Sequence, residues 1–434
     1  MRRAHRPNTW EHLPDKMSWQ TVHWIAGSIL ALAWFSRIVE AAIGMPRIAD
    51  VARPEWDRKP TTPDGEPRVS IIVPARNEEQ DIGATLQQLL ALDYSNYEII
   101  AVNDRSTDGT GAIMDEVAVS AESLCSADTL VRAPATSAMQ AVADRSVRPT
   151  RLKVIHISEL PPGWLGKTHA MWTAAKQATG DWLLFTDADV LFKPDSLRRV
   201  VSYAYAEKAD HVVLFPRMLM EHPGERMMIA FFQALFVFGH RPWKVADPDA
   251  QDHMGVGAFN MVRRSVYDAV GTYQALRMEV LDDMKLGKVV KNAGYRQRNV
   301  FGEDLISLRW VKGTFGIVNN LTKNFFALMS FQWPRTVISL VGLAFLNLGP
   351  FLGIWLAHGW ARLPYAVALG SLFAIYVGMA RLSDVAPYYF LLHPISSGVV
   401  MYTLARSMVL TIRDDGIVWR GTKYSLEELR KGMV

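Results

Sequence analysis

Hydrophobic and polar positions divide this chain into apolar blocks near its two ends and an alternating middle. Residues 20–36 (QTVHWIAGSILALAWFS) stay apolar for 17 positions after a polar, basic start without a small-residue cleavage site. This pattern predicts an uncleaved membrane anchor, with a helix lying in the interface as the alternative because of His23, Arg37 and Glu40. Residues 336–357 form an uncharged apolar run of 22, followed by apolar runs at 363–380 and 386–405. Three further spans are expected there.

From about 66 to 320, short β-branched runs alternate with helical periodicity, which predicts an α/β domain with a mostly parallel sheet. Strands are expected at Val69–Val73, Tyr97–Val102, Leu152–Ile157, Trp182–Phe185 and His211–Phe215. Helices are expected at Glu78–Leu92, Lys167–Ala178, Ser196–Ala206 and Leu281–Asn292. Residues 119–150, rich in Ala and Ser without a clear period, read as a surface insertion. Met227–Gly239 and Phe315–Trp333 fit interface helices, the first fitting a core helix equally well. The expected division is an anchor and linker over 1–65, the α/β domain over 66–320, an interface helix and three spans over 321–412, and a basic tail over 413–434.

Half of the 434 residues are hydrophobic, too many for a plain soluble enzyme, while the charge content is too high for a pure membrane bundle. The net charge of +4 is spread along the chain without a basic stripe, so nucleic acid is not an expected partner and anionic lipid is. The single cysteine, Cys125, excludes an intramolecular disulfide and a cysteine-built metal site, in keeping with a reducing compartment. One anchor and three spans would put the tail opposite the α/β domain. Yet Arg406, Arg413, Arg420 and Lys423 make that end basic, as a cytosolic segment would be.

The first strand ends in Pro74-Ala75-Arg76-Asn77-Glu78-Glu79 and the second in Asn103-Asp104-Arg105-Ser106-Thr107-Asp108, so both deliver polar groups to the sheet edge where α/β ligands bind. The fourth runs into Asp187-Ala188-Asp189, two carboxylates able to turn onto one hard cation. Asp247-Pro248-Asp249 has the same spacing, so position after Leu183, Leu184 and Phe185 is what distinguishes the first pair. Trp164-Leu165-Gly166-Lys167 opens a helix, where a lysine and free amides can face a diphosphate. Asp282-Asp283 heads another, where adjacent carboxylates repel and one can be raised toward a general base's working range, or simply cap the helix.

In this order these motifs resemble the family 2 glycosyltransferases of GT-A fold, a likeness covering roughly residues 66–315. The resemblance implies an α/β, Rossmann-like catalytic domain in which Pro74, Arg76, Glu78 and Asp104 surround the donor nucleotide. It implies Lys167 and Asp187 on the donor side, Asp189 as ligand to Mg²⁺ or Mn²⁺, and Asp283 as general base. Asp282 stands where Glu is usual. Gly257, within Gly255-Val256-Gly257-Ala258-Phe259, would belong to the acceptor side with Asp282, Arg309 and Trp310. Processive synthases carry Q-x-x-R-W where this chain has Ile306-Ser307-Leu308-Arg309-Trp310, and the missing glutamine favours single transfer. Pro161-Pro162-Gly163-Trp164 with Gly166-Lys167, and Trp419-Arg420-Gly421-Thr422 with Tyr424, resemble hopene-associated, carotenoid and ceramide glycosyltransferases. A nucleotide-sugar donor, UDP-linked in the favoured case, and a lipid acceptor are therefore expected. The expected location is a bacterial inner membrane with the catalytic domain cytosolic. The rival readings are a polysaccharide synthase, a nucleotidyltransferase and a non-catalytic scaffold or sensor.

Overall fold

The computed structural model describes residues 18–60, 65–132, 152–310 and 312–433. Its centre is a seven-stranded sheet built from β1 (Val69–Ala75), β2 (Tyr97–Asp104), β3 (Leu152–Ile157), β4 (Trp182–Phe185), β6 (His211–Leu214), β8 (Asn260–Arg263) and β9 (Gln297–Val300). The strand order is β3-β2-β1-β4-β8-β6-β9, parallel except that β8 runs against both β4 and β6. A small sheet, β5 (Val190–Phe192), β10 (Ile306–Leu308) and β7 (Arg217–Met218), flanks it. Every residue of β1 is buried, because helices cover a parallel sheet on both faces.

On one face α2 (Ile82–Leu90), α3 (Thr110–Arg132) and α5 (Ser196–Ala206) supply Leu86, Met114 and Val200 to the core. On the other, α4 (Gly166–Ala175), α7 (Arg264–Ala269), α8 (Thr272–Ala275) and α9 (Asp282–Asn292) supply Met171, Val266, Tyr273 and Leu286. Two expectations change. Helix α2 starts at Ile82, not Glu78, because Glu78 N donates to Thr110 Oγ1 at 2.8 Å and Glu79 Oε2 accepts from Gly109 N at 2.8 Å. Those residues are bound to a neighbouring loop instead of to helical partners. Helix α3 continues to Arg132, so residues 119–132 are helical and not an irregular insertion; 133–150 lie outside the described residues.

Among the described residues four helices are long and apolar enough to cross a membrane: α1 (Trp19–Gly44) with the turn after it, α11 (Trp333–Leu356), α12 (Leu363–Met379) with the turn before it, and α13 (His393–Arg413) with the turn before it. Small residues let three of them pack closely, since a Cβ at Gly27 or Gly353 would press on Tyr365. Trp34 Nε1 also donates to the Leu346 carbonyl at 3.0 Å. Helix α1 starts beside α12, where His23 meets Tyr365 Oη at 3.0 Å, and ends at Gly44 against Trp243 of the α/β domain. Helix α12 returns to that domain, where Asp384 pairs with Arg217 at 2.6 Å. Helix α13 joins the other three through α11, where His393 Nε2 meets Asn347 Oδ1 at 3.1 Å, and reaches further. It packs on α6 (Pro223–Gly239) and α10 (Thr314–Leu328), with Val400 among Met228, Phe231, Ile317 and Leu321 and with Arg406 donating to Thr322 Oγ1 at 2.7 Å. The chain after it, β11 (Gly416–Trp419), β12 (Thr422–Ser425) and α14 (Leu426–Lys431), lies against the α/β domain.

Strands β6, β8 and β9 are joined by one buried polar chain. Gln297 Nε2 meets His211 Nδ1 at 2.7 Å, and the other ring nitrogen bonds Asn260 Oδ1. Asn260 Nδ2 then donates to the Asp283 carbonyl at 3.3 Å, tying the start of α9 to the sheet. Burial lowers His211 to about 4, below the 6.5 of an exposed ring, so its neutral form contributes stability above pH 6.5 that is lost as pH falls toward 4. Lowering the pH from 7 to 5 should cost about 2 kcal/mol through this group. In purified protein, His211→Gln should flatten the pH dependence of the unfolding midpoint by that amount, and an unchanged slope would assign the titration elsewhere.

Candidate active site

The loops after β1 and β2 are bound to each other before they meet any ligand. Asn77 and Arg105 both take positive φ, 56° and 54°, and Asn77 Oδ1 accepts from Thr107 N at 2.8 Å. Asn77, Glu79, Ser106 and Asp108 are thus occupied in holding the loops. Arg76, Glu78 and Asp104 remain to face the opening. Asp104, nearly buried, receives Arg105 Nε at 2.8 Å and lies 4.0 Å from Arg76. Pro74 is buried inside β1, paired with Val102, so it shapes the strand end without a polar contact.

Helix α4 begins at this edge. A Cβ at Gly166 would collide with the Asp104 carboxylate, so only glycine brings the Lys167 turn this close. Lys167 Nζ stands 2.7 Å from Asp187 Oδ1 and 3.7 Å from Asp282 Oδ1. It joins the end of β4 to the start of α9, which are 95 residues apart in the chain. Two more glycines permit the convergence: a Cβ at Gly257 would strike Asp187, and one at Gly255 would strike the Asp283 carbonyl. Asp187 N donates to the Gly257 carbonyl at 3.0 Å, fixing the loop that carries it. Asn260, Tyr273, Met171 and Phe185 complete the lining of this narrow cleft.

The charges do not balance evenly. Burial pushes Asp187 up, but the Lys167 charge and hydrogen bond outweigh it and hold the carboxyl below the usual range. Asp189 is pushed up to about 7 by burial, and then by Asp187 and Glu78. Burial likewise raises Asp282 to about 7 against the pull of Lys167, with Asp283 and Asp187 adding to the rise, and Asp283 is also raised by burial. Lys167 itself is raised, its carboxylate neighbours overcoming the burial penalty. Among the described residues no three His, Cys, Asp or Glu side chains converge as a closed metal cage. The donor set at Asp187 and Asp189 nonetheless fits a divalent cation. Mg²⁺ commonly takes one or two carboxylates from the protein and the rest of its ligands from phosphates and water, and a cation would relieve the repulsion that raises Asp189. Asp247, of the second D-x-D, pairs instead with Lys244 at 3.6 Å.

Some residues lie differently from the sequence pattern. The Arg309 guanidinium pairs with Glu221 at 2.7 Å and Glu225 at 2.9 Å, and Trp310 packs edge-on against Phe232. Both bind the domain to α6 and make no ion pair or ring contact with the carboxylate cluster. The C-terminal hairpin, in contrast, reaches the loop after β1. Arg420 bonds the Arg76 carbonyl and Glu78, Arg76 donates to Thr422 Oγ1 at 3.1 Å, and Tyr424 Oη accepts from Gly166 N at 3.1 Å. Lys323, from α10, lies 4.5 Å above the Trp419 ring. Burial first, then Arg420 and Lys167, lower Lys323 to about 8. Nothing in sequence spacing marks Lys323, since a lysine on an apolar helix reads as a solvated face.

A doubly wound sheet whose strand ends gather such a carboxylate cluster defines a GT-A glycosyltransferase, here joined to four membrane-length helices among the described residues. The chain belongs to glycosyltransferase family 2: residues 67–302 match the family described as Glycosyltransferase like family 2. It is similar to a 4,4'-diaponeurosporenoate glycosyltransferase of Staphylococcus aureus, 19% identical over 411 residues that cover 92% of this chain and 100% of that one. Among solved structures it resembles the mannosyltransferase PcManGT from Pyrobaculum calidifontis in complex with GDP-Man and Mn²⁺, with a TM-score of 0.48 and 19% identity over 90% of this chain and 99% of that one. It also resembles S. aureus TarS 1-349 in complex with UDP-GlcNAc, with a TM-score of 0.36 and 14% identity over 80% of this chain and 92% of that one.

Gly257→Ala should displace Asp187, and a shift of about 1 Å at such a site can cost on the order of 100-fold in turnover. Gly239→Ala, which meets nothing within 4 Å, should leave turnover unchanged. Steady-state rates of both variants, compared at equal folded fraction, test the collision; a fully active Gly257→Ala would refute it.

Proposed function

We propose that this glycosyltransferase moves one sugar from a nucleotide-sugar donor to a hydrophobic lipid acceptor, with inversion at the anomeric carbon. The carrying observation is the cleft in which Lys167 and Asp187 face Asp282 and Asp283, with Asp189 two residues beyond Asp187. In this reading Arg76, Glu78 and Asp104 hold the nucleotide. Lys167, with Lys323 and Arg420, supplies positive charge toward the diphosphate, and Asp187 and Asp189 hold Mg²⁺ or Mn²⁺ there. When bound, the metal neutralises the charge that grows on the departing diphosphate. Asp283, raised by burial, takes the proton of the acceptor hydroxyl, while Asp282 keeps Lys167 in place. Gly257 and its loop border the acceptor side; Arg309 and Trp310 act there only through the α6 contact.

The membrane-length helices motivate the lipid acceptor, since a bilayer-dissolved substrate is met at the bilayer surface. The carotenoid named for the staphylococcal relative points the same way. We place the α/β domain and the tail on the cytosolic face of a bacterial inner membrane. Helices α1, α11 and α12 would then cross, and α13 would lie along α6 and α10 without crossing. This arrangement removes the conflict between span count and basic tail.

Asp283→Asn should slow transfer by about 10² to 10⁴ while leaving donor binding intact; unimpaired transfer would end its assignment as the base. The decisive experiment incubates the enzyme in native-lipid nanodiscs with UDP- and GDP-sugars, with and without Mn²⁺. Release of one nucleotide only with metal, matched by a lipid heavier by one sugar, is expected. Release of polymer, or transfer only to a water-soluble acceptor, would replace the lipid reading.

A further inference from the structure

A second basic site lies apart from the cleft, where the α/β domain meets the membrane helices. An open cavity of about 760 Å³ is walled by Lys285 and Lys288 of α9, Phe331, Trp333 and Arg335 at the start of α11, and Arg430 of α14. Four cations therefore face one space. Lys285 is paired, at 3.0 Å from Glu279. The other three have no carboxylate within ion-pair distance among the described residues: Arg335 reaches only Ser330 Oγ, at 3.4 Å, and Arg430 only the Phe331 carbonyl, at 2.8 Å. Phe331 is fully buried and bonded back to Phe326, so the turn carrying the floor is firm. Trp333 is 60% exposed at the first turn of a membrane-length helix, the position at which tryptophan marks the headgroup level.

Like charges converging on one concavity repel unless an anion joins them, and the cavity has the size of a small-ligand site. Basic pockets beside membrane helices on the cytoplasmic side fit phosphate-bearing headgroups. We propose that this cavity binds the phosphate of an anionic phospholipid, with Lys288, Arg335 and Arg430 holding the phosphate and Trp333 lying along the glycerol and upper acyl region. The ligand would clamp three elements that line this cavity: α9, whose first turn carries Asp282 and Asp283, the start of α11, and the C-terminal helix. The inference stands independently of which sugar or acceptor the enzyme uses.

The test titrates delipidated full-length protein with phosphatidylglycerol or phosphatidylcholine and counts retained lipids by native mass spectrometry. Wild type should keep phosphatidylglycerol in preference to phosphatidylcholine. The double variant Lys288→Ala/Arg335→Ala should bind it roughly 30-fold more weakly, at about tenfold or less per cation removed. Lys153→Ala, an exposed charge loss on β3, should match wild type, and retained nucleotide binding would show that the double variant is folded. Equal phosphatidylglycerol retention by wild type and the double variant would overturn the proposal. So would displacement of the lipid by inorganic phosphate at equal concentration, which would make this a free-anion site.

Discussion

Lys167 is the interaction on which the rest of the cleft depends. It sits on the first turn of α4 between Asp187 and Asp282, two carboxylates brought from the end of a central strand and the start of a helix. Without the cation, Asp187, Asp282 and Asp283 would be a buried cluster of one sign; burial, with Asp283 and Asp187 adding to it, holds Asp282 at about 7 even against the pull of Lys167. With it, one carboxyl can stay ionised while its neighbours are held close to neutrality. That division of protonation states is how environment assigns different tasks to chemically identical groups.

The cation can do this only because backbone comes unusually close to it. Glycine at 166, 255 and 257 leaves room where a methyl group would strike the Asp104 carboxylate, the Asp283 carbonyl and the Asp187 carboxylate in turn. Behind these contacts, the His211–Asn260 pair and Gln297 hold the start of α9 from within the sheet. The cleft is thus supported by buried hydrogen bonds in the antiparallel part of the sheet, while its polar loops come from the parallel part.

Membrane association and chemistry share elements in this chain. Arg309 and Glu225 fasten the α/β domain to α6, and Glu225 is held at about 2 because bonds from Arg309, Gly313 N and the α6 entrance outweigh its burial. The hairpin after α13 then returns to Arg76 and Glu78. The same segments that carry apolar faces also bring Lys323 over Trp419 and Arg420 to Arg76 and Glu78.

Sequence by itself determined five of the seven strands of the central sheet, their polar endings and the family, because hydrophobic period and short motifs are local properties; β8 and β9 carry no such signal. It also placed Asp187-Ala188-Asp189 at a strand end, where position and not spacing separated this pair from Asp247-Pro248-Asp249. Start residues misled where side chains were spent elsewhere, as at Glu78 and Glu79, whose bonds run to a loop about thirty residues away. Only the tertiary structure decided that Lys167 would meet Asp282, that Arg309 would pair with α6, and that α13 would pack on α6, α10 and α11 and return the tail to the α/β domain. Each of these is a contact between groups far apart in the chain, and pairing at a distance leaves no periodic trace in the residues that make it.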